Sequence, residues 1–218
     1  MTLSELTRRR LGLATLVLAM ACSACATTAT VAPTPRPTPS PTPAGGEEQL
    51  TVSGLPLSVT VTLPPGWEAD GSVVSRSTQD AGTSMSVSVG LVQSVYGNPC
   101  RWRGAVVEVG PTAAELANAL AAQPMRRARQ AVVKLGELTA HWITMRVPGD
   151  ADLASCDEGE FRSWESRAHD GPGQIDEIYV VDVGGTRVVI DAAYFPDASS
   201  EEIAEIHRIV GSMRFTAA

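Results

Sequence analysis

The chain has 218 residues, of which 44% are hydrophobic and 19% charged, and its formal net charge is −7 at neutral pH. This composition excludes a disordered chain, a multi-span membrane protein and a collagen-like repeat, and the length is typical of one domain with appendages. From residue 47 onward, 13 basic residues stand against 23 acidic ones. Such an acidic body repels phosphate groups, so we expect no nucleic-acid partner.

The first 21 residues are typical of a signal peptide. Three arginines at positions 8–10 precede an apolar run at 11–21, which is too short to span a bilayer. The small residues before Cys22 are typical of a bacterial lipobox, and Cys25 is an alternative lipidation site. Ordinary secretion, with a mature chain that starts at Thr27, is also compatible with this sequence. We therefore expect an extracytoplasmic protein that is held at the membrane by an N-terminal lipid or is secreted.

Residues 22–46 are predicted to be a Thr/Pro-rich disordered linker. Six prolines alternate with other residues between positions 33 and 43, a pattern that favours a stiff polyproline II spacer of about 34 Å. All ten aromatic residues of the chain lie at or after Trp67. We therefore expect one globular domain over residues 47–218.

Apolar residues that alternate with period two predict a series of β-strands in this domain. Gly184-Gly185 lies between the last two predicted strands of the series and predicts a hairpin, because both glycines accept a positive φ. The predicted strands cover residues 57–63, 85–91, 131–138, 141–147, 161–168, 178–183 and 187–195.

Two capping boxes predict the starts of two helices, at Thr112-x-x-Glu115 and at Ser199-x-x-Glu202. The first helical pattern ends at a Gln-Pro pair, and the second ends at Gly211 before a short closing strand at 213–215. This order of elements predicts an α+β domain in which helices cover an antiparallel sheet.

Six sequence segments carry a family resemblance over residues 50–218. They are LPPGW at 63–67, NPCRW at 98–102, GPT at 110–112, CDEGEFRSW at 156–164, DVGGT at 182–186 and IVGSMRF at 209–215. Together they resemble a group of uncharacterised exported proteins and lipoproteins of actinobacteria and Chloroflexi. The first and last segments also resemble the PsbP/Mog-like fold, which implies a single-domain α/β/α sandwich and no catalytic residue.

The cysteines outside the signal and lipidation region predict one disulfide bond. Only Cys100 and Cys156 remain there, and export places both in an oxidising compartment. Two free buried thiols are the alternative interpretation. A metal site needs more ligands than this pair offers.

Each of the remaining candidate functional residues has a structural interpretation and a functional one. The three histidines are scattered and favour structural roles. An acidic stretch at 150–160 is interpreted as a solvated loop, with calcium binding as the alternative. The three arginines at 126, 127 and 129 are interpreted as a solvated loop. The four tryptophans are interpreted as core, with a ligand groove as the alternative. They are Trp67, Trp102, Trp142 and Trp164.

No catalytic, cofactor or metal motif is recognisable in the sequence. We therefore predict a noncatalytic binding or interaction module of the cell envelope, with no cofactor, whose partner is an envelope protein or a small ligand. The alternative is an envelope hydrolase or transferase whose site is assembled from scattered polar residues.

Overall fold

The computed structural model describes residues 45–77, 84–124 and 126–217. The predicted signal peptide, both candidate lipidation cysteines (Cys22 and Cys25) and almost all of the predicted linker lie outside these residues. None of the helices in this part of the chain is long and apolar enough to cross a membrane.

Fourteen strands and two α-helices form the described fold. The helices are α1 (Ala113–Ala121) and α2 (Ser200–Ser212). The strands are β1 (Glu47–Leu50), β2 (Leu57–Thr62), β3 (Glu68–Asp70), β4 (Val73–Ser77), β5 (Ser84–Gly90), β6 (Ser94–Tyr96), β7 (Val106–Glu108), β8 (Arg129–Leu135), β9 (Leu138–Arg146), β10 (Arg162–Trp164), β11 (Arg167–Ala168), β12 (Ile175–Val183), β13 (Thr186–Tyr194) and β14 (Arg214–Ala217).

Seven strands form an antiparallel sheet in the order β3-β4-β5-β13-β12-β9-β8. The predicted hairpin joins β12 to β13, and its turn glycines have φ values of 61° at Gly184 and 87° at Gly185. A second tight turn joins β8 to β9 at Gly136, where φ is 59°. The predicted strand at 131–138 therefore ends earlier than its apolar pattern suggests.

Each face of this sheet packs against one helix. We call these faces the α1 face and the α2 face. Leu116 and Leu120 of α1 are buried in the same cluster as Ile178 of β12, whereas Ile206 of α2 is buried with Ile190 of β13 on the opposite face. Both predicted capping boxes are present at the helix starts.

The expected fold class, an α/β/α sandwich with a sheet covered by helices, is wrong. Strands hold 44% of the described residues, and helices hold 17%, a share that includes two short 3-10 helices besides α1 and α2. With nine and thirteen residues, the helices are about 14 and 20 Å long at 1.5 Å per residue. Seven strands spaced about 4.8 Å apart make a sheet about 29 Å wide, which helices of this length cannot cover.

On the α2 face, strands share the outer layer with the helix. A three-stranded sheet in the order β1-β2-β14 lies beside α2, and Val59 and Val61 of β2 are buried in the same cluster as Ile206. The strands at the other side of the large sheet are β12, β9 and β8. Several of their apolar side chains on this face are only partly buried, among them Val133, Leu135, Leu138 and Tyr179.

On the α1 face, loops and short strands are held by a disulfide bond between Cys100 and Cys156, the pair that the sequence predicts. Their Cα atoms are 4.6 Å apart. Backbone hydrogen bonds on both sides of the bridge reinforce it: the Asp157 amide donates to the Cys100 carbonyl at 2.9 Å, and the Arg162 amide donates to the Pro99 carbonyl at 2.8 Å.

Candidate functional site

Strand β12 carries two consecutive carboxylates, Asp176 and Glu177, in the middle of the protein. Successive side chains of a strand point to opposite faces of the sheet. Asp176 therefore lies on the α1 face and Glu177 on the α2 face. Their relative exposures are 0% and 8%, so each carboxylate needs nearby partners to remain charged.

Asp176 obtains its partners from two arginines. Arg126 forms an ion pair with Asp176 Oδ2, and both side chains are completely buried. Arg167 Nη2 donates to Asp176 Oδ1 at 2.8 Å, and the Arg167 Nε atom lies 2.5 Å from Asp191 Oδ2 on β13. We call these four residues and His169 the buried charge cluster. The four charged side chains balance one another.

His169 completes the cluster as a neutral ring. Burial lowers its pKa to about 4, because the protein interior disfavours the imidazolium. Its Nδ1 atom lies 3.2 Å from Asp176 Oδ2, and its Nε2 atom lies 2.9 Å from Ser163 Oγ. A neutral ring fits both contacts if Nδ1–H donates to Asp176 and Nε2 accepts from Ser163.

The two carboxylates of the cluster differ in pKa. Burial alone raises the pKa of Asp176, but its contacts with His169, Arg126 and Arg167 outweigh burial and hold that pKa well below its usual range. Asp191 has Arg167 alone as a close cationic partner, so burial dominates and raises its pKa to about 6. The hollow that borders Arg167 measures about 120 Å³, which is room for a few water molecules.

Glu177 is held instead by three neutral donors and a histidine. Tyr194 donates its hydroxyl to Oε1 at 2.7 Å. Oε2 accepts from Tyr179 at 3.2 Å and from the Trp142 indole at 3.3 Å, and it lies 3.1 Å from His207 Nε2. These four donors come from β13, β12, β9 and α2.

Both tyrosines remain protonated donors at neutral pH. The pKa of Tyr179 and that of Tyr194 are raised above the ordinary value, first by burial and then by the negative charge of Glu177. The phenol protons therefore stay in place and hold the carboxylate.

Two hollows, which we call together the groove, lie on the α2 face over strands β12, β9 and β8, and the first of them borders Glu177. Its first part measures about 350 Å³ and its second about 460 Å³, within the range of small-molecule sites. The first part is lined by Ala131, Val133, Lys134, Trp142, Glu177, Tyr179 and His207. The second is lined by Leu135, Gly136, Glu137, Leu138, Val183, Met213, Arg214 and Phe215.

The two parts of the groove follow each other along the strands. Trp142 pairs with Tyr179 in the register of β9 and β12, and Leu135 pairs with Leu138 in that of β8 and β9. From Glu177 to Val183 the strand advances six residues, or about 20 Å. We call the first part the polar end and the second part the apolar end of the groove.

Two of the three histidines contact carboxylates in the structure. His169 contacts Asp176 and His207 contacts Glu177. His207 lies on the rim of the groove, with 47% of its side chain exposed. His141 lies on β9 opposite Val132 of the edge strand.

The acidic stretch at 150–160 is largely bound to arginines. Asp157 pairs with Arg101 at 3.4 Å, and its other oxygen accepts from the Arg103 amide at 2.9 Å. Arg103 also pairs with Glu158, and Arg162 with Glu160. Within residues 45–77, 84–124 and 126–217, no group of three or more His, Cys, Asp and Glu side chains is arranged to hold a metal ion.

The four tryptophans divide between core, loop and groove. Trp67 and Trp164 are buried in the two main clusters of apolar side chains. Trp102 lies under Arg162, whose guanidinium carbon is 4.8 Å from the ring centroid. Trp142 borders the groove, and a role in ligand binding stays a prediction for it.

Arg126 and the Asp176–Glu177 pair are the residues that sequence reasoning missed. The sequence predicts a solvated loop for Arg126, Arg127 and Arg129, but Arg126 is buried, whereas the other two are exposed. The predicted strand begins at residue 178, because two acidic residues interrupt the apolar pattern before it. Two consecutive carboxylates at the start of an otherwise apolar strand are the sequence signal that points to this pair.

The described part of the chain is thus a mostly antiparallel β-sheet domain with two α-helices and an open groove on one sheet face. Comparison with protein-family models finds no match, and neither does comparison with curated proteins. Among solved structures, LpqN of Mycobacterium tuberculosis, described as involved in cell envelope biogenesis, is 11% identical with a TM-score of 0.43, covering 79% of this chain and 91% of LpqN.

Two further structures show similarly distant likeness. A cyanobacterial PsbP protein of Synechocystis sp. PCC 6803 is 11% identical with a TM-score of 0.39, over 81% of this chain and 96% of that protein. A protein of Bacteroides thetaiotaomicron is 12% identical with a TM-score of 0.36, over 72% of this chain. This chain spans 44% of the length of the Bacteroides protein. None of these comparisons supports membership in the group of exported proteins that the sequence resembles.

Proposed function

We propose that this protein is a noncatalytic binding module of the cell envelope and that its ligand lies in the groove on the α2 face. One observation carries this proposal: strands β12, β9 and β8 leave apolar and aromatic side chains partly exposed around a carboxylate. The polar end offers Trp142, Tyr179 and Glu177, and the apolar end offers Leu138 and Phe215. Concave apolar surfaces with a few fixed polar groups are typical of ligand sites.

The location in the envelope is supported by the N-terminal sequence and by the disulfide. An apolar run behind three arginines is typical of export, and the Cys100–Cys156 bond belongs in an oxidising compartment. We propose that Cys22 carries the lipid. Cys22→Ala should move the protein from the membrane to the soluble fraction, and intact mass of the native protein should show a lipid on residue 22. A mature chain that begins at Thr27 without added mass contradicts the anchor.

The alternative, an envelope hydrolase or transferase, finds support in the contact between His207 and Glu177. A histidine and a carboxylate at 3.1 Å can act as an acid–base pair. However, Glu177 is also held by Tyr179, Tyr194 and Trp142. This arrangement fixes the carboxylate in place, which suits recognition better than proton transfer.

Binding of a neutral apolar dye tests the groove. We expect Nile red to gain fluorescence when it is titrated with the purified protein. Trp142→Ala should weaken this binding at least fivefold, because the indole borders the polar end. Trp102→Ala is the matched control, since Trp102 lies in the disulfide-linked loops. Equal affinity of the two variants, or no binding by the parent protein, contradicts the groove as a binding site.

A further inference from the structure

Glu177 differs from the other buried carboxylates in its surroundings. Asp176 and Asp191 contact arginines, and so do the half-buried Glu202 and Glu205 of α2. Among the residues that the structure describes, Glu177 forms no ion pair with a lysine or arginine, and its nearest basic group is His207 at 3.1 Å. A buried carboxylate without a full counter-charge is costly. The groove is the side from which such a charge could come.

Glu177 lacks a cationic partner rather than hydrogen-bond donors, because its hydrogen bonds are already made. A carboxylate has about four acceptor positions, and four donors occupy them. A ligand hydroxyl would therefore have to displace one of these donors, whereas a cation is attracted by the charge of the carboxylate without taking an acceptor position. Trp142 and Tyr179 line the groove at this point, and aromatic rings also attract cations.

Lys134, which also borders the polar end, does not supply that charge. Its Nζ atom donates to Thr139 Oγ1 at 2.9 Å. Val133 packs with the α2-face cluster, so the next residue along the strand points to the α1 face. The Lys134 ammonium is thus directed to the opposite side of the sheet from Glu177.

We propose that the groove binds an amphiphile with an ammonium head group at Glu177 and a hydrocarbon chain over the partly buried apolar side chains beside it, among them Val133 and Tyr179. The second hollow, lined by Leu135, Leu138, Val183 and Phe215, lies further along the same strands. The excess of acidic residues in the domain adds a long-range attraction for cations. This inference rests on the proposed binding function and specifies its ligand class.

Three probes with the same eight-carbon chain test the head group: octylammonium, octyl glucoside and octanoate, each below its critical micelle concentration. Binding is followed by calorimetry and by the indole N–H signals of the ¹⁵N-labelled protein, in which Trp67, Trp102 and Trp164 serve as internal controls. We expect octylammonium to bind at least tenfold more tightly than the other two probes. Its addition should shift the Trp142 signal and leave the other three in place.

Glu177→Gln tests the negative charge of Glu177 alone, because the glutamine keeps the shape of the side chain and one carbonyl acceptor. We expect this variant to lose the tenfold preference for octylammonium and to keep the affinity of the parent protein for octyl glucoside. Glu137→Gln is the control, since it removes a negative charge at the apolar end. Unchanged thermal melting shows that each variant is folded.

The outcomes separate this inference from the proposed function. If all three probes bind equally and shift Trp142, the groove binds ligands and the ammonium head group is wrong. If Glu137→Gln abolishes the preference and Glu177→Gln does not, the placement of the head group is wrong. If no probe shifts the Trp142 signal, both the ligand class and the binding function are contradicted.

Discussion

Asp176 and Glu177 are neighbours in the sequence, yet the sheet places them in opposite environments. On the α1 face, Asp176 is fully buried between Arg126 and Arg167. On the α2 face, Glu177 is held by Tyr179, Tyr194, Trp142 and His207 and faces the polar end of the groove, which measures about 350 Å³. The first site is closed and charge-balanced, whereas the second is open and lacks a full positive counter-charge.

The difference suggests which of the two sites serves the fold. The buried charge cluster joins β12 and β13 to the segments that carry Arg126 and His169, so its charges connect parts of the chain that are distant in sequence. Glu177 also joins several elements, but through two tyrosines, a tryptophan and a histidine, and loss of these hydrogen bonds costs less stability than loss of a buried arginine–carboxylate pair. Stability should therefore depend on Asp176, and ligand binding on Glu177.

The largest expected effect follows from removing the charge of Asp176. Asp176→Asn leaves Arg126 buried without its carboxylate partner, and breaking a buried ion pair in this way costs about 3–5 kcal/mol in the free energy of unfolding. Glu177→Gln is the matched change on the other face. It should cost about 1 kcal/mol or less, because an amide can still pair with hydroxyl and imidazole groups that reorient.

Urea unfolding, monitored by tryptophan fluorescence and circular dichroism, measures both free energies. Equal costs for the two variants would remove the distinction between the two sites. A larger cost for Glu177→Gln would assign the structural role to the α2 face instead.

The disulfide bond gives a second test of the structural role of the α1 face, because it anchors the loop that leads to His169 of the buried charge cluster. The bridged cysteines are 56 residues apart, and the chain-entropy model gives about 4 kcal/mol for a closed loop of that length. The variant with Cys100→Ser and Cys156→Ser should lose about this much in free energy of unfolding. Thiol titration of the unfolded, unreduced protein provides the check: two free thiols would contradict the bond.

Local signals made much of the fold predictable from sequence. The capping boxes at Thr112 and Ser199 and the Gly184-Gly185 turn each depend on residues close together in the chain, and all three are confirmed. The extent of the helical layer was not predictable in this way. It depends on how wide the sheet becomes once seven strands have paired.

The candidate sites were less predictable, because they are assembled from distant residues. Arg126 and Asp176 are 50 positions apart, and the sequence around Arg126 resembles an exposed basic loop. Glu177 and His207 are 30 positions apart, and no local spacing relates them. The Cys100–Cys156 pair is the exception, since a count of cysteines was enough to suggest it.

The smallest expected effect is a pH dependence within the buried charge cluster. Folding lowers the pKa of His169 to about 4, so between about pH 6.5 and 4 only the unfolded chain binds this proton, and acidification destabilises the fold. Folding raises the pKa of Asp191 to about 6, so between about pH 6 and 4 the folded chain holds an extra proton, and acidification stabilises the fold. The two contributions oppose each other over most of this window.

Two variants separate these contributions. Asp191→Asn should make the free energy of unfolding fall more steeply from pH 6 to 4 than in the parent protein, by about 1.4 kcal/mol per pH unit, because the His169 proton is then unopposed. His169→Gln should produce the opposite change in slope, because the Asp191 proton remains. Urea midpoints at pH 4, 5, 6 and 7 give both slopes relative to the parent protein, and the other titrating groups cancel in that difference. Parallel curves of unfolding free energy against pH for all three proteins would show that neither group changes its pKa on folding. The buried charge cluster would then differ from the site at Glu177 in geometry alone.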